Sequence, residues 1–142
     1  MSLVDFAEQE DEIRSVRDRV FGEEQGVPNS INWDGYDGRC QHVVVRDGDG
    51  KVIGTGRLAP CGKIGRLSVL KKFRGRGVGG KLLTRLLSVA RASQLPEVFL
   101  HAQANAVGFY KGEGFEVAGS PFFEAGIKHL RMSKSLKNNE DE

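Results

Sequence analysis

A helical apolar pattern that begins inside a cluster of glycines constrains the fold of this chain more than any other feature of its sequence. Apolar residues spaced by four, with two leucines beside them, form one stripe: Val78, Leu82, Leu83, Leu86, Leu87 and Ala90. This spacing predicts an amphipathic helix from Val78 to Ala92, which must bury its apolar face against another layer. Residues 74–80, with the sequence RGRGVGG, open the helix directly.

The other patterns alternate between strand and helix. Ile13, Val16 and Val20 mark one face of a first helix, which follows a short strand at residues 3–7. Further strands are predicted at both arms of a hairpin and at four later positions: residues 42–59, 63–70, 97–102, 115–126 and 127–136. A third helix, which is short, is expected at residues 105–112. The order β-α-β-β-β-α-β-α-β-β predicts an α/β (α+β) fold, a mixed sheet with helices against its faces.

Length and composition limit the class of protein. A chain of 142 residues accommodates one domain, expected at residues 1–136, and a polar tail at residues 137–142 that we expect to be disordered. No apolar run approaches the roughly 18 residues of a membrane span, and the acidic N-terminus does not resemble a signal peptide. We therefore expect a cytoplasmic protein without a membrane partner. Cys40 and Cys61 are expected to be reduced thiols.

The charge is distributed unevenly along the chain. Residues 51–96 contain eleven Lys or Arg and no Asp or Glu, whereas residues 1–39 contain ten acids and four bases. A basic block of this kind favours an anionic partner, either a nucleic acid or a phosphorylated cofactor. Phe73 is the single aromatic residue in the block, and stacking on bases needs more of them, so we expect no nucleic-acid partner. The three histidines form no pair at ligand spacing, and we expect no metal.

Two phosphate-loop patterns match the glycine cluster and both fail. In a Walker loop the residue after Lys81 must be Ser or Thr to hold magnesium, but it is Leu82, which belongs to the apolar stripe. A dinucleotide fingerprint requires a strand that runs into the first glycine, whereas residues 71–74 (KKFR) intervene before Gly75. What remains is a glycine loop with arginines and a lysine at a helix N-terminus, which is suited to a pyrophosphate without a metal.

Two motifs resemble the GNAT family of N-acetyltransferases. Residues 66–83 (RLSVLKKFRGRGVGGKLL) are similar to its coenzyme A-binding motif, with Arg74, Gly77 and Gly79 at the fixed positions. Residues 101–119 (HAQANAVGFYKGEGFEVAG) resemble the second motif of the family, in which Phe109 and Tyr110 precede a Gly-Phe pair. Residues 20–28 (VFGEEQGVP) and 122–132 (FFEAGIKHLRM) are similar to its ElaA-like branch. The resemblance extends from Val4 to about Met132.

The resemblance implies a fold, a donor substrate and a set of binding residues. The sheet would be mostly antiparallel and splayed at a central cleft, with helices on both faces, and acetyl-CoA would enter that cleft as the acetyl donor. The pantetheine arm would be bound by backbone groups of Leu67, Ser68 and Val69. The pyrophosphate would be bound by amides of the glycine loop: Arg74, Gly75, Arg76, Gly77, Val78, Gly79 and Gly80. The cofactor would also contact three residues of the second motif, Asn105, Phe109 and Tyr110.

The resemblance also implies catalytic roles. Tyr110 matches the tyrosine of the family that acts as general acid toward the departing thiolate. The general base is left open between Glu24, His101, Glu124 and His129, each of which could instead contact the substrate, and water relays are a further alternative. A non-catalytic module that binds coenzyme A on the same fold is the alternative to an enzyme.

The resemblance implies that the acceptor is a small amine, which the sequence does not identify. The acidic N-terminal third and the segment with Trp33, Asp34, Tyr36 and Asp37 suggest a cationic or amphipathic amine near the cleft. The exposed edge of a half-open sheet makes a homodimer an expected assembly.

Overall fold

Two small sheets form the centre of the molecule. The computed structural model describes residues 2–4, 6–27 and 33–136. The first sheet has four antiparallel strands in sequence order: β1 (Ser2–Val4), β2 (Gln41–Arg46), β3 (Val52–Leu58) and β4 (Ile64–Val69). In the second sheet, the long strand β8 (Ile127–Ser135) pairs antiparallel with three others: β5 (Glu97–Gln103), β6 (Glu116–Val117) and β7 (Phe122–Glu124).

Helices connect the strands close to the predicted positions. Helix α1 (Phe6–Arg17) continues into a π-helical segment (Asp18–Glu24). Helix α2 (Val78–Ala92) has the predicted bounds, and the short helix α3 (Val107–Gly112) follows a 3-10 turn at Ala104–Ala106. No helix within the described residues has the length and apolarity to cross a bilayer.

One strand prediction is wrong, and one expectation lies outside the description. Residues 115–126 form two short strands, β6 and β7, instead of one. Gly119 lies between them with a φ of 88°, and Pro121 lacks the N–H that a strand ladder needs, so the pairing with β8 is interrupted. The tail at residues 137–142 lies outside the described residues.

Both faces of the first sheet are covered by helices. Successive side chains on β2 point to opposite faces, so Val43 packs with the core under α2 while Val44 packs with the core under α1. Strand β3 is buried along its whole length. At Gly56 a Cβ atom would lie 2.9 Å from Leu86 Cδ1, which shows how closely α2 approaches this strand. The expectation of helices on both faces is confirmed.

The two sheets meet at a single point and then separate. Strands β4 and β5 run in the same direction, but they belong to different sheets and share one parallel bridge, between Lys63 and Phe99. There the Phe99 N–H donates to the Gly62 carbonyl at 3.0 Å. The strands diverge from this junction, so the predicted splay between the third strand of the hairpin region and β5 is confirmed.

A buried cluster of arginines and aspartates fastens the segment before β2 to the rest of the fold. Asp37 accepts hydrogen bonds from Arg17 at 2.8 Å and from Arg57 at 2.9 Å, and all three residues are buried. Asp34 accepts from Arg57 at 2.6 Å and from Arg66 at 3.1 Å. Burial alone would raise the pKa of Asp37, but the hydrogen bonds and charges of Arg17 and Arg57 outweigh it and keep that pKa low. These two carboxylates are therefore already paired with arginines.

The junction between the sheets yields a test of the fold. Gly62 has a φ of 96°, and a Cβ atom there would lie 2.9 Å from the Glu97 carbonyl oxygen. We expect Gly62→Ala to lower the free energy of unfolding by about 1–3 kcal/mol, because both the backbone conformation and the close approach oppose a side chain. Urea unfolding followed by circular dichroism measures the change.

The matched control is Gly48→Ala in the turn between β2 and β3. Gly48 has no positive φ, and a Cβ atom there would have no neighbour within 4 Å. Its effect should stay within about 0.5 kcal/mol. Equal effects of the two substitutions would contradict the role given to Gly62.

Candidate active site

A cleft opens where β4 and β5 diverge. Its volume is about 240 Å³. The walls come from both sheets, and the segment after α1 lies over them with Phe21, Gln25 and Val27. The side-chain amide of Gln103, at the end of β5, donates to Gln25 Oε1 at 2.8 Å, which ties this segment to the second sheet.

The edge of β4 that faces the cleft carries backbone groups that β3 does not use. The Leu70 N–H donates to the Ile53 carbonyl at 2.9 Å. Hydrogen-bonded pairs alternate along an antiparallel ladder, so the next paired residue is Ser68, and the backbone groups of Val69 point away from β3: its carbonyl accepts from Arg74 Nε and its N–H lies on the open edge. Leu67 lies in a bulge next to Arg66, whose φ is 51°, and it lines the cleft. Of the three residues predicted to bind the pantetheine arm, Leu67 lines the cleft and the N–H of Val69 lies on the open edge of β4, whereas the backbone of Ser68 belongs to the ladder.

The glycine loop ends at the N-terminus of α2. Gly75 and Gly77 both have a φ of 77°, a left-handed conformation that favours glycine, and Gly77 is the N-cap of the helix. Val78 is the first helical residue, as the sequence predicts. Gly79 has an ordinary helical conformation, and a Cβ atom there would lie 3.9 Å from Phe109 Cζ. The ring of Phe109 therefore lies beside the first turn of α2, which brings the two predicted cofactor motifs together.

Arg74 and Glu24, predicted for different roles, form one ion pair. The guanidinium of Arg74 donates to both oxygens of Glu24, at 2.8 and 3.0 Å, and its Nε donates to the Val69 carbonyl at 2.9 Å. This bidentate pair joins the end of the π-helical segment to the glycine loop. Glu24 thus lies at the loop, whereas the other three candidate bases line the cleft.

A shallower groove follows one face of α2. It is lined by residues three or four apart on the helix together with one residue after α3: Gly77, Gly80, Lys81, Thr84, Arg85, Ser88 and Glu113. Lys81 and Arg85 supply positive charge along it. The groove begins at the glycine loop, at the positive end of the α2 dipole.

His101, Glu124 and His129 come together in the cleft from three different strands. Glu124 Oε1 lies 3.2 Å from His101 Nδ1, and its Oε2 lies 3.8 Å from His129 Nε2. Phe122 separates the two imidazoles, with ring centroids 4.9 Å from His101 and 5.9 Å from His129. Three of the four candidate bases therefore form one cluster. Among the described residues, no group of three or more His, Cys, Asp or Glu side chains is arranged to hold a metal ion.

Hydrogen bonds decide which imidazole nitrogen can take a proton. His129 Nδ1 lies 2.7 Å from the Ile127 carbonyl, which can only accept, so Nδ1 carries the hydrogen and Nε2 holds the lone pair. The carboxylate of Glu124 likewise places the hydrogen of His101 on Nδ1. Burial and the charge of Lys63 lower the pKa of His101, and Glu124 opposes both effects. The lowered pKa favours the neutral form of His101, in which Nε2 can accept a proton.

Tyr110 lines the same cleft from α3. Its ring packs edge-on against Phe109 and Phe115, with centroids 5.0 and 5.8 Å away. Burial raises the pKa of Tyr110 to about 12, so its hydroxyl stays protonated at physiological pH. Asn105, by contrast, is exposed in the 3-10 turn before α3, where its neighbour Ala106 lines the cleft.

The sequence did not single out several polar residues of the cleft: Gln25, Lys63, Arg66 and Gln103. Lys63 and Arg66 belong to the basic block, whose charge was assigned as a whole to a phosphorylated cofactor. Lys63 and Gly65 alternate with buried Ile64, and this pattern could have indicated a strand face turned toward the cleft.

The chain matches known proteins over nearly all of its length. The profile of the acetyltransferase (GNAT) domain family matches residues 7–136. The uncharacterised N-acetyltransferase YjcF of Bacillus subtilis is 38% identical over 136 residues, which cover 91% of this chain and 96% of that protein.

Solved structures share the architecture. The crystal structure of Escherichia coli ElaA superposes with a TM-score of 0.82 at 27% identity, covering 94% of this chain and 98% of ElaA. A GNAT family acetyltransferase from Elizabethkingia anophelis, solved with acetyl-CoA bound, has a TM-score of 0.61 at 18% identity and covers 72% of this chain and 80% of its own. At that identity the likeness shows the fold alone.

Two opposite substitutions test the electrostatics of the cleft. The charges that act on His101 are those of Lys63 and Arg131, which lower its pKa, and of Glu124, which raises it. Removing a cation makes the imidazolium easier to form, so we expect Lys63→Met to raise the pKa of His101. Removing the carboxylate has the reverse effect, so Glu124→Gln should lower it. NMR titration of the three histidines measures both shifts, with His101 assigned by substitution.

Lys51→Met is the matched control for this titration. Lys51 is exposed at the start of β3, outside the cleft, and should leave the pKa of His101 unchanged. Shifts in the same direction for Lys63→Met and Glu124→Gln would contradict the described arrangement.

Proposed function

The chain belongs to the GNAT family of acetyltransferases, and we propose that it transfers acetyl from acetyl-CoA to the primary amine of a small acceptor by direct attack in a ternary complex. The observation that carries the proposal is the cleft between β4 and β5, which is lined by the histidine and glutamate cluster and the half-buried Tyr110 and has the glycine loop after β4. Acetyl-CoA, when bound, supplies an activated acetyl thioester.

The chain has groups that fit the two ends of this donor. The open edge of β4 can pair with an amide-containing arm as another strand would, and the Val69 backbone faces that edge. The Val69 N–H can polarise a carbonyl oxygen in the cleft. At the loop, Gly75 and Gly77 hold backbone conformations that favour glycine, and Glu24 balances the charge of Arg74. Arg76 and Lys81 then supply the net positive charge for a pyrophosphate.

The histidine and glutamate cluster is the proposed proton acceptor. An alkyl ammonium has an ordinary pKa of about 10.4, so the acceptor must lose a proton before or during attack. His101 Nε2 and His129 Nε2 both hold lone pairs in the cleft. Glu124 stabilises either imidazolium once it forms, because its carboxylate lies between the two rings.

Tyr110 serves as a hydrogen-bond donor to the departing sulfur. A thiol has an ordinary pKa of about 8.5, which is well below the value of about 12 for Tyr110. Complete proton transfer from the phenol to the thiolate is therefore uphill. Donating a strong hydrogen bond stabilises the thiolate without that transfer, and the final proton can come from the base cluster or from water.

Calorimetry with acetyl-CoA tests the donor assignment. We expect Gly79→Glu to weaken binding at least about tenfold, because it adds a carboxylate at the helix N-terminus proposed to hold the pyrophosphate. The backbone at Gly79 is not left-handed and the site is open, so the variant should fold. Ala92→Glu is the control, since it adds the same charge at the other end of α2 and should bind acetyl-CoA normally. Equal affinity in a folded Gly79→Glu protein would refute the assignment.

Thiol release with a panel of amines tests the role of Tyr110. The chain has two tyrosines, and Tyr36 is 57% exposed and does not line the cleft. We expect Tyr110→Phe to lower kcat roughly a hundredfold with little change in acetyl-CoA affinity, whereas Tyr36→Phe leaves both unchanged. An unchanged kcat in Tyr110→Phe would remove the tyrosine from the mechanism. Binding of acetyl-CoA without thiol release on any amine would instead favour the non-catalytic module.

A further inference from the structure

Lys63 carries a charge that no carboxylate of the described chain balances. It lies at the junction of the two sheets, just before β4, and its half-buried side chain lines the cleft. Within residues 2–4, 6–27 and 33–136 it forms no ion pair or side-chain hydrogen bond. A half-buried ammonium is partly removed from water, so an anionic partner would stabilise it more than it would an exposed lysine.

Lys63 and His101 lie on the same face of neighbouring strands. Lys63 pairs with Phe99, and His101 is two residues further along β5, so the three side chains point to one side. From the strand spacing and rise, the Cα atoms of Lys63 and His101 lie about 8 Å apart. A small molecule can therefore contact both side chains at once.

The charges of the cleft are unequal. Its lining includes the cations Lys63 and Arg66 and one carboxylate, Glu124. Glu124 already lies between His101 and His129, and Arg66 already donates to Asp34. Among the described charged groups that line the cleft, Lys63 is therefore the one without a hydrogen-bonded or ion-paired partner, so it would repel an ammonium beside it and attract a carboxylate.

We propose that the acceptor is an amine that also carries a carboxylate, as a free amino acid does, and that Lys63 binds this carboxylate while the amine faces the histidine cluster. This inference rests on the proposed function, whose acceptor it specifies. It replaces the cationic amine expected from the acidic N-terminal third, because Asp34 and Asp37 are bound to arginines and cannot receive a cation as that expectation required.

The test compares acceptors that differ in one group. Phenylalanine, phenylalaninamide and phenethylamine are supplied with acetyl-CoA, and kcat/KM is obtained from the release of free thiol. The comparison with phenylalaninamide is the decisive one. The pKa of its α-amino group is lower than that of phenylalanine, so this amine loses its proton more readily. Proton loss alone would therefore favour the amide. Binding by Lys63 favours the carboxylate, and we expect a preference of about tenfold or more for phenylalanine over the amide. The same comparison is repeated with glycine and glycinamide.

Three variants test whether the preference for the carboxylate depends on the Lys63 side chain. Lys63→Met should lower kcat/KM for the amino acids at least about tenfold more than for their amides, and Lys63→Arg should keep most of the preference. Lys51→Met, an exposed lysine outside the cleft, should keep all of it. In the absence of acetyl-CoA, phenylalanine should also shift the NMR signals of His101 in the parent protein and do so less in Lys63→Met.

Two results would overturn the inference while leaving the proposed function intact. One is an equal or higher kcat/KM for the amides in the parent protein. The other is an equal loss for acids and amides in Lys63→Met, which would indicate a structural role of the side chain. If no amine releases thiol although acetyl-CoA binds, the proposed function fails and the acceptor assignment fails with it.

Discussion

The separation of two parallel strands after a single shared bridge is the constraint from which the rest of the site follows. Backbone groups that would normally pair inside a sheet are left on the open edge of β4, where Val69 faces the cleft. Buried peptide groups are costly without partners, so such an edge favours a ligand that can pair as a strand does. The hydrogen bond from the Phe99 N–H to the Gly62 carbonyl holds the strands together at this end. The cleft therefore follows from the path of the backbone. The side chains that line it include Tyr110, the histidine and glutamate cluster and Lys63.

Tertiary structure divides the basic block into groups with different partners. Arg57 and Arg66 bind aspartates that fasten the segment before β2, and Arg74 binds Glu24. Lys63 lines the cleft without an ion-pair partner among the described residues, while Arg76 and Lys81 lie at the glycine loop. The basic residues named here thus fall into structural ion pairs, the cleft and the glycine loop, and the last two are the places to which we assign the proposed acceptor recognition and phosphate binding. Their positions in the chain could not separate these roles, because each partner comes from a distant segment.

Much of the fold was predictable because its signals are local. The stripe of leucines predicts α2 with its observed bounds, since a helical period repeated over fifteen residues has few alternatives. The hairpin of β2 and β3 follows from β-branched runs around an Asp-Gly turn. The sequence did not predict the division of residues 115–126 into β6 and β7, although Gly119 and Pro121 are residues that interrupt strands. The sequence indicated His101, Glu124 and His129 as separate candidates. That both histidines lie next to Glu124 depends on the pairing of β5 and β7 with β8.

The sequence by itself determined the element order apart from the division of residues 115–126, the glycine loop at the start of α2 and, through its motifs, the acetyltransferase family. These rest on local periodicity and on residue types at fixed spacing, which act before the chain is folded. Only the tertiary structure decided that Glu24 pairs with Arg74 and that Asp34 and Asp37 accept hydrogen bonds from arginines. It also decided that Lys63 lies near His101. The reason is physical: an ion pair or a cleft depends on distances of a few ångström between segments far apart in the chain, and those distances exist only once the two sheets have met and diverged.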